Sequence, residues 1–120
     1  MPWLLRDDTV LAALEVAESF RARSKGLLGR DGIDGALLLR PARQVHSFGM
    51  RFPIDVAFCG RPGQGDGEAG PGTLVVRRMV VMPPGRITRP SVRCRCILEA
   101  EAGAFARWGL AVGDRLEISP

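Results

Sequence analysis

Between Val45 and Phe58 the chain reads VHSFGMRFPIDVAF, and from residue 48 onward an apolar side chain falls on every second position. Phe48, Met50, Phe52, Ile54, Val56 and Phe58 share one parity; Ser47, Gly49, Arg51, Pro53, Asp55 and Ala57 share the other. Successive side chains of a strand point to opposite faces, so this run predicts an extended ribbon with one face buried. Pro53 has no amide proton to give a ladder, so the ribbon is expected to be an edge, a bulge or a bend there. His46, the only histidine, falls on the apolar parity. It is read as packing the sheet beside Phe48, with one ring nitrogen bonded to backbone.

The rest of the chain offers short elements of the same kind. WLLR, the turn signal Asp7-Asp8 and TVLAALEVA read as a hairpin. Residues 9–17 equally fit a helix capped by Thr9, because Val10, Leu14 and Ala17 also keep helical spacing. In SFRARSKGLLGRDG, Ser19 is placed to cap a helix and Gly29 to stop it. ALLLRP is a short buried strand closed by Pro41. Residues 60–73 hold six glycines and two prolines, which predicts a flexible loop between two strands of a long-looped hairpin, DVAFC and TLVVRRMVVM. After the irregular PPGRITRPS, the stretch SVRCRCILEAEA alternates again, with Val92, Cys94, Cys96 and Leu98 inward and Arg93 and Arg95 outward. A helical turn near Phe105–Trp108, a Gly113-Asp114 turn and a last strand over 115–119 complete the pattern. Many short strands, one helix and no βαβ rhythm predict a single mostly β domain over residues 1–120, a small sandwich or barrel.

The chain's 120 residues suit one domain with one core. No apolar run reaches the ~20 residues of a membrane helix. MPWLLRDD has neither the basic start nor the apolar centre of a signal peptide, so a cytoplasmic protein without a membrane partner is expected. The net charge of +4 is carried almost wholly by arginine, with Lys25 the sole lysine. Arg77, Arg78, Arg86, Arg89, Arg93 and Arg95 fall in a stretch without acids, which suggests an anionic partner. Recognised nucleic-acid motifs and stacking aromatics are missing, however, so nucleic acid is not the expected partner. Three cysteines cannot all pair within one chain and are read as reduced thiols.

GLLGR (26–30), HSFGMRFPIDVAF (46–58), LEAEAG (98–103) and WGLAVGDRL (108–116) occur in that order. Together they resemble the small bacterial and archaeal family catalogued as domain of unknown function 192, over roughly residues 10–118. The resemblance implies a compact, mostly β fold of jelly-roll-like type, with a short helix carrying the GLL-x-R stretch. It also favours LEVAES as the end of a strand. The family brings no established activity. Many members have methionine where this chain has Leu28, tryptophan where it has Gly49, and a secretion signal, which MPWLLRDD leads us not to expect here.

Three constellations bear on function. His46 and Asp55 would make an acid–base pair, yet nine residues of straight strand span about 30 Å, against the ~3 Å such chemistry needs. Only a bend at Gly49 or Pro53 brings them together. The structural alternative has Asp55 bonding turn amides or an arginine. His46, Cys59, Cys94 and Cys96 sum to a tetrahedral zinc set, but their spacing matches no known knuckle and the alternation reads the thiols as small buried hydrophobes. No metal and no cofactor is expected. The third is a pocket: arginines around the GLL helix could form ion pairs with Asp55 or Glu99, or flank a cleft lined by Phe48, Met50 and Phe52.

The expected function is a non-enzymatic binding or accessory module with a partly apolar, arginine-flanked cleft. Its surface is assigned to Arg23, Arg30, His46, Phe48, Met50, Arg51, Asp55 and Glu99, and its partner to a small anionic or amphipathic ligand or another protein. The alternative is an enzyme using His46 and Asp55, and the third reading is weak nucleic-acid binding through a basic face.

Overall fold

A computed structural model of the protein describes residues 2–63 and 72–120. Its strands are β1 (Trp3–Arg6), β2 (Thr9–Ala17), β3 (Ala36–Leu39), β4 (Ile54–Gly60), β5 (Thr73–Met82), β6 (Cys96–Glu101) and β7 (Arg115–Ser119). Two short helices, α1 (Phe20–Lys25) and α2 (Ala104–Trp108), follow β2 and β6. The strands pair in the order β1-β2-β3-β6-β4-β5-β7, and β7 returns to β1, so the sheet closes into a barrel. Of the two architectures expected, sandwich or barrel, this is the barrel.

Residues 9–17, open between helix and strand, are strand. Asp7 and Asp8 both adopt positive φ, 50° and 63°, as in the two-residue turns that match the right-handed twist of a hairpin. That turn sets Arg6 opposite Thr9 and lays β2 antiparallel to β1. Ser19 caps α1 as expected, its hydroxyl accepting the Ala22 amide at 3.0 Å. The helix stops at Gly26 rather than Gly29, because the backbone already leaves the helical region at Gly26, with φ 49°. β2 and β3 are parallel, so β2-α1-β3 is a crossover unit in a chain read as lacking one. Its three elements were each read; the parallel pairing of β3 with β2 was not, because side-chain spacing carries no information on strand direction.

The ribbon predicted over 48–58 is half right. Only Ile54–Gly60 is strand, and it is buried on both faces. Before it the chain turns at Phe48-Gly49 and again at Arg51-Phe52, with Gly49 at φ 77°. Phe48 is therefore 50% exposed, whereas Met50 and Phe52 are buried from an irregular segment. Val92 and Cys94 fail to continue β6 inward for the same reason. The chain turns through 92–93, Val92 is 88% exposed, and only Cys96 opens the strand. At the ends of the Gly/Pro-rich stretch Gly60 and Thr73 belong to β4 and β5, and the flexibility read into it falls mostly on 64–71, outside the described residues.

Two apolar layers result. Leu14, Leu38, Ala57, Cys59, Cys96 and Leu98 belong to one, completed by Ala104, Phe105 and Leu110 at α2. The other lies outside the barrel wall, where Leu37, Leu39, Ile54, Val56, Phe58 and Ile97 pack under Leu27, Ile33, Met50 and Phe52. Strand alternation assigns the faces of β4 and β6: odd residues of β4 and even residues of β6 turn inward, and the others turn out beneath the crossover. That layer's covering segments, the α1 crossover and residues 41–53, meet above β3 and β6, and a cleft opens between them.

Candidate functional site

The cleft has a volume of about 380 Å³. Leu39 and Glu99, from the outward face of β3 and β6, form its floor. Arg23, Lys25, Gly26 and Leu27 form one wall, and Ala42, Val45, His46 and Met50 the other. Phe20, 79% exposed, stands at the mouth.

The second wall is fixed by Ser47, a fully buried residue that the alternation placed on a polar face. Its hydroxyl donates to the Pro83 carbonyl at 2.6 Å and accepts the Arg86 amide at 2.9 Å. Its own amide donates to the Arg86 carbonyl at 2.7 Å. These bonds, with the bridge between His46 and Ile87, hold residues 45–47 against the 83–88 loop and set where His46 points. His46 is exposed, not packed into a sheet. It does stack on Phe48, with ring centroids 5.2 Å apart, and its Nδ1 accepts the Phe48 amide at 3.2 Å. A neutral imidazole in that geometry carries its proton on Nε2.

Glu99 is the unusual group. It is 3% exposed, and among the described residues its carboxylate has no hydrogen bond or ion pair. Burial alone pushes its pKa from 4.5 to about 7, since a poorly solvated carboxyl resists ionisation. Gly26 leaves room above it: a Cβ there would come 3.6 Å from Glu99 Oε1.

The other assigned residues divide. Arg23 lines the cleft, with one Nη donating to the Pro41 carbonyl at 2.6 Å. Arg30 faces away and grips Glu15 of β2 with two bonds of 2.7 and 3.2 Å, so it does not reach Glu99. Arg51 pairs at the surface with Asp31 at 2.9 Å. Asp55 points to the inward side of β4. One of its oxygens accepts the amides of Gly103 and Phe105, both at 3.0 Å, at the start of α2. The bend before β4 exists, yet it does not join His46 to Asp55: they face different layers and have different partners. The four metal candidates do not converge either. Cys59 and Cys96 lie in the inner layer, Cys94 in the outer one, and His46 is at the cleft edge. Burial pushes the Cys94 thiol up to about 11. The basic stretch is partly used internally: the Arg78 guanidinium lies 4.1 Å over the Phe58 ring, and Arg77 donates to the Arg61 carbonyl.

Sequence reasoning missed Phe20, Lys25 and Gly26 as cleft residues. The signal available was the placement of the sole lysine beside the glycine that opens GLL.

The family model DUF192, described as an uncharacterized ACR, matches residues 4–118. No curated protein matches. The fold is similar to a crystallised protein of unknown function from Novosphingobium aromaticivorans DSM 12444, with a TM-score of 0.72 at 19% identity, covering 97% of this chain and 82% of that one. It is equally similar to a Sinorhizobium meliloti 1021 protein described as a putative transcription regulator, with a TM-score of 0.72 at 23% identity, covering 97% and 90%. Identities this low carry the fold alone. No helix among the described residues is long and apolar enough to cross a membrane.

Proposed function

The chain belongs to the uncharacterised family DUF192, and because that membership brings no activity, we propose from the site itself that the protein is a binding module for a small amphipathic molecule. One observation carries this reading: a mostly apolar cleft, open to solvent, whose floor holds a largely buried carboxylate with no partner among the described residues. A buried polar group left unpaired costs roughly 1–3 kcal/mol, more when charged, and a ligand that supplies the partner recovers that energy. The volume falls at the lower end of the ~300–1,000 Å³ range of ligand pockets. The mixed lining, with aliphatic walls and cations at the mouth, supports an amphipathic rather than a purely apolar guest. An enzyme built on His46 and Asp55 gains no support, since Asp55 is engaged at α2.

A small-molecule screen by thermal shift tests the reading. A cleft ligand at about 100 times its dissociation constant adds roughly 2.7 kcal/mol of stability. Leu28→Trp, placed to fill the cleft from its half-buried rim, is expected to abolish that shift. A screen without hits, or hits indifferent to Leu28→Trp, overturns the proposal.

A further inference from the structure

The charges of the cleft are sorted by depth. Glu99 lies at the floor. Lys25 is exposed at the mouth without a carboxylate partner among the described residues, beside Arg23. His46 is the only other titratable group in the wall. From β3 and β4 the neighbours of Glu99 in register are Leu37 and Val56, both apolar. A ligand with only a negative charge would satisfy the mouth and meet Glu99 with its apolar part or with like charge. A ligand with only a positive charge would satisfy Glu99 but pass two cations at the entrance. A molecule carrying both, with an apolar side group between, meets complementary groups at each depth.

We propose that this cleft receives a small zwitterion, an apolar amino acid or close chemical relative, with its ammonium group seated on Glu99 and its carboxylate facing Lys25. The proposal rests on the binding-module reading above and adds the ligand's chemical class to it. The side group would lie against Leu27, Leu39 and Met50, and Phe20 and His46 would border the opening. An ammonium offers three donors to a carboxylate that receives none from the described residues. Seating it also requires Glu99 to be ionised, so affinity is expected to rise between about pH 6 and pH 8, the interval that spans the pKa of about 7.

Titration calorimetry with two matched sets of probes tests this. One is phenylalanine, phenethylamine and 3-phenylpropionate; the other is leucine, 3-methylbutylamine and 4-methylpentanoate. In at least one set the amino acid should bind best, and the acid lacking the amine worst. Glu99→Gln should weaken the amino acid and the amine roughly tenfold or more, the scale of a lost charge-assisted bond, and should flatten the rise with pH. His46→Gln should leave that rise in place. Lys25→Met should weaken the amino acid but not the amine. Two outcomes overturn the ligand class while leaving the binding module standing. One is a screen that finds Leu28→Trp-sensitive ligands while neither amino acid binds; the other is amino-acid binding unchanged by Glu99→Gln. A cleft that binds nothing at all removes both.

Discussion

Asp55 and Glu99 stand on adjacent strands, one register position apart, and each is almost sealed from solvent, at 5% and 3% exposure. Asp55 turns to the inward face of β4 and finds the Gly103 and Phe105 amides waiting. Glu99 turns outward, under the crossover, and finds apolar side chains and an opening. Neither depth nor strand distinguishes them; what differs is whether the fold brings amides to the oxygens. The first carboxylate holds α2 to the barrel. The second is a cost the fold carries, and it is carried where the cleft opens the outer layer.

The largest effect expected is on the satisfied partner. Asp55→Ala strands two amides and removes two charge-assisted bonds, at about 1.5–3 kcal/mol each, so denaturant unfolding should show a loss of roughly 3–6 kcal/mol. A loss below about 1 kcal/mol would mean that the α2 junction does not depend on this carboxylate.

Glu99→Gln should act in the opposite direction. The folded pKa of about 7 lies above the ordinary 4.5, so the unfolded chain releases this proton first. The contribution to stability is full below pH 4.5, declines as pH rises toward 7, and is absent above. At 1.36 kcal/mol per unit, the deficit at pH 8 is about 3 kcal/mol. The variant should therefore be more stable than the parent by up to that amount at pH 8, with the difference shrinking toward pH 4. A difference that stays constant with pH would show that Glu99 is already solvated or paired. Asp55→Asn sharpens the contrast by applying the same carboxylate-to-amide change. The amide oxygen can still accept both N–H groups, so a smaller loss of about 1–2 kcal/mol is expected. One edit with two signs is what the comparison demands. The smallest effect belongs to Arg30→Met. Its bond to Glu15 is half exposed, worth about 0–1 kcal/mol, and its removal should leave the pH dependence assigned to Glu99 untouched.

How far each carboxylate was legible in the sequence follows from what satisfies it. Asp55 was read both as a site residue and as a structural carboxylate bonding turn amides or an arginine; the amides it meets belong to Gly103 and Phe105, far along the chain, where no local cue reaches. Glu99 was assigned to the site but given arginine partners. No spacing rule could show that Arg30 would choose Glu15, because that depends on β2 and β3 running parallel, and alternation within a strand does not say which way its neighbour runs. Alternation located β4 and overran it. Phe48, Met50 and Phe52 keep the parity of a strand, yet Gly49 at positive φ breaks the ribbon and turns Phe48 outward. Two apolar residues buried from an irregular segment look, in sequence, like two buried from a strand. Cys94 and Cys96 carry the same lesson: a shared parity is split between two layers because the chain bends at Arg95 before β6 begins.

The return of β7 to β1 has a bearing on how the molecule meets other chains. An open sheet offers unpaired amides and carbonyls along its margin, to which a foreign peptide can attach as one more strand. A closed ring of seven keeps such a margin only where one strand overhangs its neighbour, as β5, which runs to Met82, overhangs the Thr73–Val75 segment paired with β7. Strand addition by a polypeptide has only those overhangs to work with, a narrower route than the full edge of an open sheet. The same closure shortens the commonest template for strand-to-strand aggregation.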